Sequence, residues 1–462
     1  MTASRGSVGD PAEPGAGVAL APLLAVCSGY FMVILDVTIV NVAAPAIGRE
    51  LTTSLTDLQW IVDGYSVAFA GLLLLGGALG DRWGHRRVFC LGVSVFTGAS
   101  LGCVVAGDAL TLTVFRLVEG GGAALLVPAS LALLQQVHPT PEARARAFGL
   151  WGAIAGVAAT AGPLVGGVLT STVGWRWVFV INLPVGLLCL GATLATVGPS
   201  PRDPRRVIDP LGQAAVVVTV AALIAALNEV GRQGIRGPAV IAGVLVAAVA
   251  AGVFVLRERY GAHPPLPRPL VGSRPLVGGT VVGLLFNFGF YGMIFAASVY
   301  FQQHEGFSAA LAGLALLPAM AVTMVASALS GRLADRFPHQ RLMLVGLLTA
   351  CLGLALWAVV GDAASYAVLV IAMVACGFGT SFTLTGATST VMGAAPADYA
   401  GTASATLNTA RQTGSAAGVA IAGSLVAGAG LPAGVTTFMA IGAAGYLLAA
   451  VLTVVSVPAL RR

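Results

Sequence analysis

Five ionisable side chains interrupt long apolar stretches of the chain: Asp36, Asp63, Arg116, Glu119 and Arg411. A charge inside a membrane is costly, so each group should face the protein interior, where it pairs with an opposite charge or titrates. Loss of water favours the protonated form of a carboxyl group, which lets it exchange protons when its surroundings change. Asp36 and Asp63 are therefore either proton carriers or packing acids held by hydrogen bonds and salt bridges.

Arg116 and Glu119 are three residues apart in one apolar stretch. On a helix, this spacing places both side chains on the same face and predicts an ion pair. Arg116 is then either a structural counter-ion or a member of a proton relay. For Glu119 we favour the role of salt-bridge partner over that of a second proton carrier.

Other reactive side chains show no catalytic or metal-binding pattern. The five histidines fall in loops or at the edges of apolar stretches, and no Ser-His arrangement is evident. The six cysteines lie in apolar stretches without metal spacing, which predicts packed thiols. We therefore expect no metal ion and no cofactor, and a membrane-embedded enzyme is disfavoured. The cysteines are Cys27, Cys90, Cys103, Cys189, Cys351 and Cys376.

The elements that must position these groups are membrane spans. The chain has 462 residues, of which 57% are hydrophobic and 9% charged, a balance that fits no soluble class. Apolar stretches of about 20 residues, the length that crosses a bilayer, recur between short loops rich in Arg, Pro or Gly. The pattern predicts an all-α polytopic membrane protein with fourteen spans. Because Pro-rich loops flank the seventh and eighth spans, twelve spans with a folded-in linker is the alternative.

Loop arginines orient the predicted spans. All 24 basic residues are arginine, and only Arg49, Arg176, Arg232 and Arg236 fall in loops predicted to lie outside. The positive-inside rule then places both termini in the cytoplasm, with residues 1–17 as a cytoplasmic tail. The charge therefore reflects topology and not nucleic-acid binding. Together with the Ala, Gly and Arg excess, this predicts a multi-pass protein of a bacterial cell membrane.

The chain contains an internal repeat. The segment "GALGDRWGHRR" (77–87) after the second span is echoed by "GRLADRFPHQR" (331–341) after the tenth. Duplication of this kind is typical of secondary transporters, whose binding site lies near the midplane between two halves. We predict six-helix halves at 18–200 and 276–462, two inserted helices at 201–260 and a cytoplasmic linker at 261–275.

The first copy of the repeat has the composition of a conformational latch. A glycine lets the second span pack closely, and Asp81 at the membrane boundary can pair with a nearby arginine or face a helix N-terminus. The alternative is an arginine cluster that only sets topology, with an incidental acid. The predicted latch residues are Gly77, Asp81, Arg82, Gly84, Arg86 and Arg87.

Several motifs in order resemble those of the major facilitator superfamily, specifically its fourteen-span drug:proton antiporter branch. They are the 77–87 loop, "LDVTIVNVAAP" (35–45), "RLVEG" (116–120), "GPLVGG" (162–167), "WRWVFVINLPVG" (175–186), "GLALLPA" (313–319) and "LNTARQTGSAAGVA" (407–420). The resemblance covers nearly the whole chain. It implies a major-facilitator fold of two six-helix halves plus two extra central helices. Glu119 departs from the pattern, because this branch usually has glutamine there.

The fifth span carries the motif that, by resemblance, marks exporters within the family. Its residues are Gly156, Gly162, Pro163, Gly166 and Gly167. The glycines offer a thin face for close helix contact, and the proline removes a backbone hydrogen bond and should bend the helix. Ordinary packing of small residues is the alternative.

Candidate substrate contacts are Asn41, Trp60, Tyr65, Asn287 and Arg411. The aromatic run around Asn287, "FNFGFYGMIF" (286–295), either lines a cavity for a planar ligand or faces lipid or core. Trp60 and Tyr65 next to Asp63 form either a cation-binding wall or part of an interfacial aromatic belt. With the resemblance, these features predict a monomeric antiporter that exports an amphipathic drug or antibiotic in exchange for protons. An importer of a small nutrient with the same fold is the alternative.

Overall fold

A computed structural model describes residues 19–53, 55–204, 208–261, 266, 268–307, 309–334, 336–361, 365–396 and 399–457. Regular structure in these ranges is helical throughout. The predicted tail at 1–17 and Asp335 of the second repeat lie outside the described residues. In chain order the helices are α1 (Leu20–Glu50), α2 (Leu55–Trp83), α3 (His85–Val105), α4 (Ala109–Val137), α5 (Pro141–Thr172), α6 (Trp177–Val180), α7 (Asn182–Thr196), α8 (Pro210–Gln233), α9 (Pro238–Tyr260), α10 (Arg268–Val271), α11 (Arg274–Val299), α12 (Ala309–Ala334), α13 (His339–Val360), α14 (Tyr366–Ala394), α15 (Ala400–Ala429) and α16 (Leu431–Ser456).

Helix ends follow local sequence signals. Asp108 caps α4 by accepting a hydrogen bond from the backbone N–H of Thr111, and this bond lowers the pKa of the Asp108 carboxyl. Thr140 caps α5 in the same way. Proline occupies the first turn of α5, α8, α9, α11 and α16. A backbone N–H in the first turn has no partner within the helix, so proline, which lacks this group, costs no helical hydrogen bond there. The span boundaries are thus encoded locally.

The helices are membrane spans by length and composition. Thirteen candidate spans are found in the described part of the chain, with α6 and α7 together forming one of them, Trp177–Thr196. The long helix α15 is not among the thirteen, because polar side chains such as Asn408 and Arg411 lower its hydropathy. The prediction of an all-α polytopic protein is confirmed, whereas fourteen spans and two cytoplasmic termini stay predictions.

Glycine contacts repeat between the two halves. In the first half α3 meets α4 at Gly92 and Gly122, where a Cβ on Gly92 would lie 2.8 Å from the Gly122 carbonyl oxygen. In the second half α13 meets α14 at Gly346 and Gly379, each of which contacts the carbonyl oxygen of the other. Small residues let helix backbones approach in a membrane, where no hydrophobic effect drives helices together. The matching pairs agree with a duplicated fold, while the exact domain boundaries stay predictions.

The inserted helices α8 and α9 are joined by an ion pair in which Arg257 donates to both oxygens of Asp209, at 3.0 and 2.9 Å. Helix α8 contacts the first half through Val217, which lies against Gly71 of α2. It contacts the second half where Ser424 of α15 donates to the Leu227 carbonyl. The inserted pair therefore lies alongside both halves.

Two helix pairs close the molecule at the end where α2 finishes and α5 begins, which the positive-inside rule places in the cytoplasm. Helix α5 meets α12 near this end at Gly149, where a Cβ would lie 3.9 Å from the Gly331 Cα, and deeper in the molecule at Gly156, where a Cβ would lie 3.3 Å from the Met324 Cα. Helix α2 meets α15 where Gly77 contacts Gly401. The halves are therefore in contact on this side of the central cavity.

Candidate functional site

A buried ion cluster joins three of the predicted residues. Arg116 of α4 lies with one nitrogen, Nη1, 2.5 Å from Asp36 Oδ2 and 2.7 Å from Glu119 Oε2. The three side chains are 0 to 1% exposed. The ion pair predicted from the spacing of Arg116 and Glu119 is present, and Asp36 joins it from α1.

Polar neighbours complete the cluster. Asn182, the first residue of α7, donates through Nδ2 to Asp36 Oδ1 at 3.2 Å. The same nitrogen donates to the Ser100 hydroxyl of α3 at 3.3 Å, and Ser100 donates to Glu119. The Arg116 guanidinium lies 4.4 Å from the centre of the Tyr65 ring. Helices α1, α2, α3, α4 and α7 are thus tied together at one buried point.

The charges of this cluster do not balance. Two carboxylates, Asp36 and Glu119, surround one guanidinium, so the cluster carries one negative charge in excess when both acids are ionised. An uncompensated buried charge is strongly unfavourable. Neutralisation of one acid would remove this excess charge and would leave the other acid paired with Arg116.

Asp63 stands on α2 with its side chain half-buried, two residues after Ile61, whose backbone carbonyl accepts a hydrogen bond from Arg116 Nε. The structure brings Asp36, Arg116 and Glu119 together, and the role of Asp63 stays a prediction.

A cavity lies between the two halves. One wall belongs to α1 and α5, where the rings of Tyr30 and Trp151 are stacked with centroids 3.7 Å apart. The opposite wall belongs to α11, α12, α14 and α15 and includes Asn287 and Arg411. The aromatic residues of this opposite wall include Phe286, Phe290 and Tyr291. The cavity has the mostly apolar lining, with a few polar groups, that is typical of a small-molecule site.

Some of the predicted substrate contacts line this cavity and others do not. Asn287 and Arg411 line it, which agrees with the cavity alternative for the aromatic run around Asn287. Trp60 and Tyr65 do not line this cavity; Tyr65 is buried against Arg116 and Trp60 is 38% exposed, and their role as substrate contacts stays a prediction. They diverge because successive turns of α2 present residues 60 and 65 on different faces. The side chain of Asn41 lies outside the described residues.

The predicted latch connects the two halves. Asp81 accepts a hydrogen bond from the Thr402 hydroxyl at 3.0 Å, in the first turn of α15. His85 Nε2 lies 3.3 Å from the other carboxylate oxygen. Asp81 thus faces the N-terminus of α15, which is one of the two predicted arrangements. The latch crosses between α2 and α15 at the end predicted to be cytoplasmic.

The remaining latch residues hold the loop after α2. Gly84 has φ +92°, a left-handed conformation that disfavours other residues, and it lies against the Ser200 carbonyl. Arg86 donates to the Leu194 carbonyl at 2.7 Å, and its backbone N–H donates to Ser200. Arg82 is half-buried and Arg87 is exposed.

The glycines of the α5 motif differ in what they contact. Gly162 and Gly166 lie against Thr38 and Ile39 of α1, too close for a Cβ without displacement. At Gly167 a Cβ would meet only Val42, at 4.0 Å. Gly156 contacts α12, as described above. The α5 helix continues through position 163, and the Pro163 side chain lies outside the described residues.

Sequence reasoning missed several residues of the site. Asn182 lies within the 175–186 motif, which was matched only as a signature, and Ser100 is an unremarkable serine in an apolar stretch. Tyr30 and Trp151 line the cavity although they belong to no motif with an assigned role. An aromatic residue in a span gives no signal for cavity or core until the rotation of its helix is known.

A helical membrane protein with two repeated halves around a central cavity, and with buried ionisable groups beside it, is by class a secondary transporter. The chain matches the model of the Major Facilitator Superfamily over residues 26–419 and belongs to that family. It is therefore a multi-pass membrane transporter and not an enzyme. Its family resemblance and fold class are confirmed.

Relatives with assigned names agree with this placement. The chain is 36% identical to a methylenomycin A resistance protein of Bacillus subtilis, over 95% of both chains. It is 38% identical to a methylenomycin A resistance protein of Streptomyces coelicolor, over 87% of this chain and 84% of the relative. It is 35% identical to the multidrug resistance protein Stp of Mycobacterium tuberculosis, over 88% and 76%.

Solved structures show the same fold. The human organic anion transporter MFSD10 (TETRAN) superposes with a TM-score of 0.72 and 18% identity, covering 96% of this chain and 100% of that one. The proton:xylose symporter XylE superposes with a TM-score of 0.67 and 16% identity, covering 95% and 96%. At these identities the likeness concerns the fold alone.

Proposed function

We propose that this protein exports amphipathic, antibiotic-like molecules from the cytoplasm in exchange for protons. The observation that carries the proposal is the buried cluster of two carboxylates and one arginine beside the cavity between the halves. The resistance and multidrug relatives support a drug or antibiotic as the substrate. We expect the protein to act as a monomer, with the proton gradient as its energy source and no cofactor.

Helix α1 connects the proton site with the cavity. It carries Asp36 in the cluster, and it carries Ile34 and Tyr30 in the cavity wall about half a turn and somewhat less than two turns earlier. Just after Asp36, it packs through Thr38 and Ile39 on the glycines of α5. Protonation of Asp36 weakens its attraction to Arg116, which frees α1 to shift against α4 and to reshape the cavity wall.

The membrane potential is sufficient to drive the exchange. One charge that moves inward across about 100 mV releases about 2.3 kcal/mol, which corresponds to a roughly fiftyfold concentration ratio. Alternating access would couple this movement to substrate release on the outer side. Closure of the α2–α15 and α5–α12 pairs at the end predicted to be cytoplasmic corresponds to one of the two required states.

The test compares the wild type with Asp36→Asn in a drug-sensitive bacterial host and in inside-out vesicles prepared from it. We expect the wild type to raise tolerance to at least one amphipathic antibiotic and to accumulate it in energised vesicles. Asp36→Asn should lose both activities at unchanged protein level. Asp57→Asn serves as the matched control, because Asp57 is an exposed acid at the start of α2.

Two results would contradict the proposal. Equal tolerance in cells that express wild type and Asp36→Asn would remove Asp36 from the mechanism. Gradient-driven uptake of a nutrient by intact cells, without any drug export, would instead support the importer.

A further inference from the structure

Among the described residues that line the cavity, one is charged, Arg411, and none is a carboxylate. The arginine lies on α15, and Nη1 donates to Asn408 Oδ1 at 3.0 Å. Its Nε is buried without a hydrogen-bond partner in the described part of the chain, and no described carboxylate forms an ion pair with it. A guanidinium in the membrane interior normally pairs with an acid or a backbone carbonyl, so this cation has unused binding capacity.

The position of Arg411 is built by its neighbours. Its stem passes over Gly283 of α11, where a Cβ would lie 3.3 Å from Arg411 Cγ. Asn287 donates to the backbone carbonyl of Arg411 at 3.0 Å and thereby joins α11 to α15 beside the cation. Tyr30 lines the opposite wall of the same cavity, so Arg411 and this phenol face one space from the two halves. These contacts hold a cation toward the space between the halves.

From this geometry we infer that the central cavity selects amphipathic anions, namely aromatic molecules with one negatively charged group that pairs with Arg411. The inference rests on the proposed export function and specifies its substrate class. The ring system would lie among Tyr30, Trp151, Phe290 and Tyr291, and the anionic group would accept hydrogen bonds from the guanidinium. A cationic molecule would meet an unpaired positive charge there and no acid.

An anionic substrate also changes the energetics of exchange. Export of an anion moves negative charge outward, in the same electrical sense as inward movement of a proton. Exchange of one proton for one monovalent anion therefore transfers two charges, and the membrane potential alone would drive it. An exporter of monovalent cations with the same proton stoichiometry would transfer no net charge.

Binding to the purified full-length protein in detergent tests the inference without the need for transport. The probes share one ring: naphthalenesulfonate, its neutral sulfonamide and naphthylmethylammonium, with octanesulfonate to separate an aromatic anion from a lipid-like one. We expect the aromatic anion to bind at least about tenfold more tightly than the cation, as a charge-assisted pair implies. Octanesulfonate should bind less tightly than naphthalenesulfonate, because it cannot stack on the aromatic wall.

Variants assign the preference to Arg411. Arg411→Gln should abolish the preference for the anion while it leaves sulfonamide binding within about twofold, and Arg411→Lys should keep most of it. Arg146→Gln is the matched control, because Arg146 is an exposed arginine outside the cavity. Equal or tighter binding of the cation by the wild-type protein would overturn the inference, whatever the variants do. If octanesulfonate binds more tightly than naphthalenesulfonate, the site prefers a lipid-like anion, and the inference of an aromatic anion is overturned.

Transport in inside-out vesicles separates this inference from the proposed function. Proton-driven transport of the cation alone, lost in Asp36→Asn, would keep the export function and overturn anion selectivity. An intact anion preference in binding, together with no proton-driven transport of any probe, would overturn the export function alone.

Discussion

Arg116 Nη1 and Asp36 Oδ2 lie 2.5 Å apart although 80 residues separate them in the chain. This buried pair joins α1 to α4, and Glu119 shares the same nitrogen. Because both acids depend on one guanidinium, the cluster joins the two helices, and the proposed function assigns proton exchange to it.

Replacement of Arg116 by methionine should strongly destabilise the protein. The change leaves two buried carboxylates without a counter-charge. Loss of one partner from a buried ion pair typically lowers the free energy of unfolding by about 3 to 5 kcal/mol. Thermal unfolding in detergent should show the largest loss of Tm for Arg116→Met and a smaller loss for Arg116→Lys. The double variant Arg116→Met with Asp36→Asn should regain part of the loss. No regain in the double variant would show that Arg116 stabilises through other contacts.

The glycines of the α5 motif should respond unequally to alanine. At Gly162 a Cβ would collide with Thr38 of α1, so Gly162→Ala should destabilise by about 1 to 3 kcal/mol, as overpacking does. Gly167→Ala is the matched control, since its Cβ meets only Val42 at 4.0 Å and alanine favours the helix. Unfolding temperatures and vesicle transport measure both variants. Equal losses would indicate that the motif does not depend on the close approach of α1.

Loss of the Asp81–Thr402 bond should open the end of the molecule that we predict to be cytoplasmic. Asp81→Asn and Thr402→Val each weaken a contact of about 1 kcal/mol, which shifts a two-state equilibrium by roughly fivefold. Spin labels at positions 87 and 337, both exposed, would report longer distances in the two variants. Thr406→Val is the control, because the Thr406 hydroxyl bonds only within its own helix. An unchanged distance distribution would exclude a latch at this position.

The Asp209–Arg257 pair should make a small, pH-dependent contribution to stability. The hydrogen bond from Arg257 lowers the pKa of the Asp209 carboxyl, so the stabilisation is present at neutral pH and is lost as the pH falls through the lowered value. Since the Arg257 side chain is 39% exposed, we expect a loss of at most about 1 kcal/mol for Asp209→Asn at pH 7. Unfolding at stepwise lower pH should show the wild type approaching the variant. In an Arg257→Gln background, Asp209→Asn should add little; a full additional loss would contradict the pairing.

Local features of the fold and site were predictable from the chain. The ion pair of Arg116 with Glu119 follows from helical periodicity. The pairing of Asp36 with Arg116 was not predictable, because it joins two helices whose relative rotation no local pattern records. For the same reason the sequence left open whether the aromatic run around Asn287 lines a cavity, and whether Trp60 and Tyr65 form a binding wall; Asn287 lines the cavity, Tyr65 contacts Arg116 and Trp60 is exposed.

Composition and the spacing of residues along single helices were enough to indicate the bilayer as solvent, the helical class, the repeated halves and the small set of charged groups within the spans. Three features required the packed molecule: which acid joins Arg116, which aromatic residues line the cavity, and that no carboxylate among the described residues lines it with Arg411. Spans that are apolar on every side show no periodic face, so packing between helices sets their rotation.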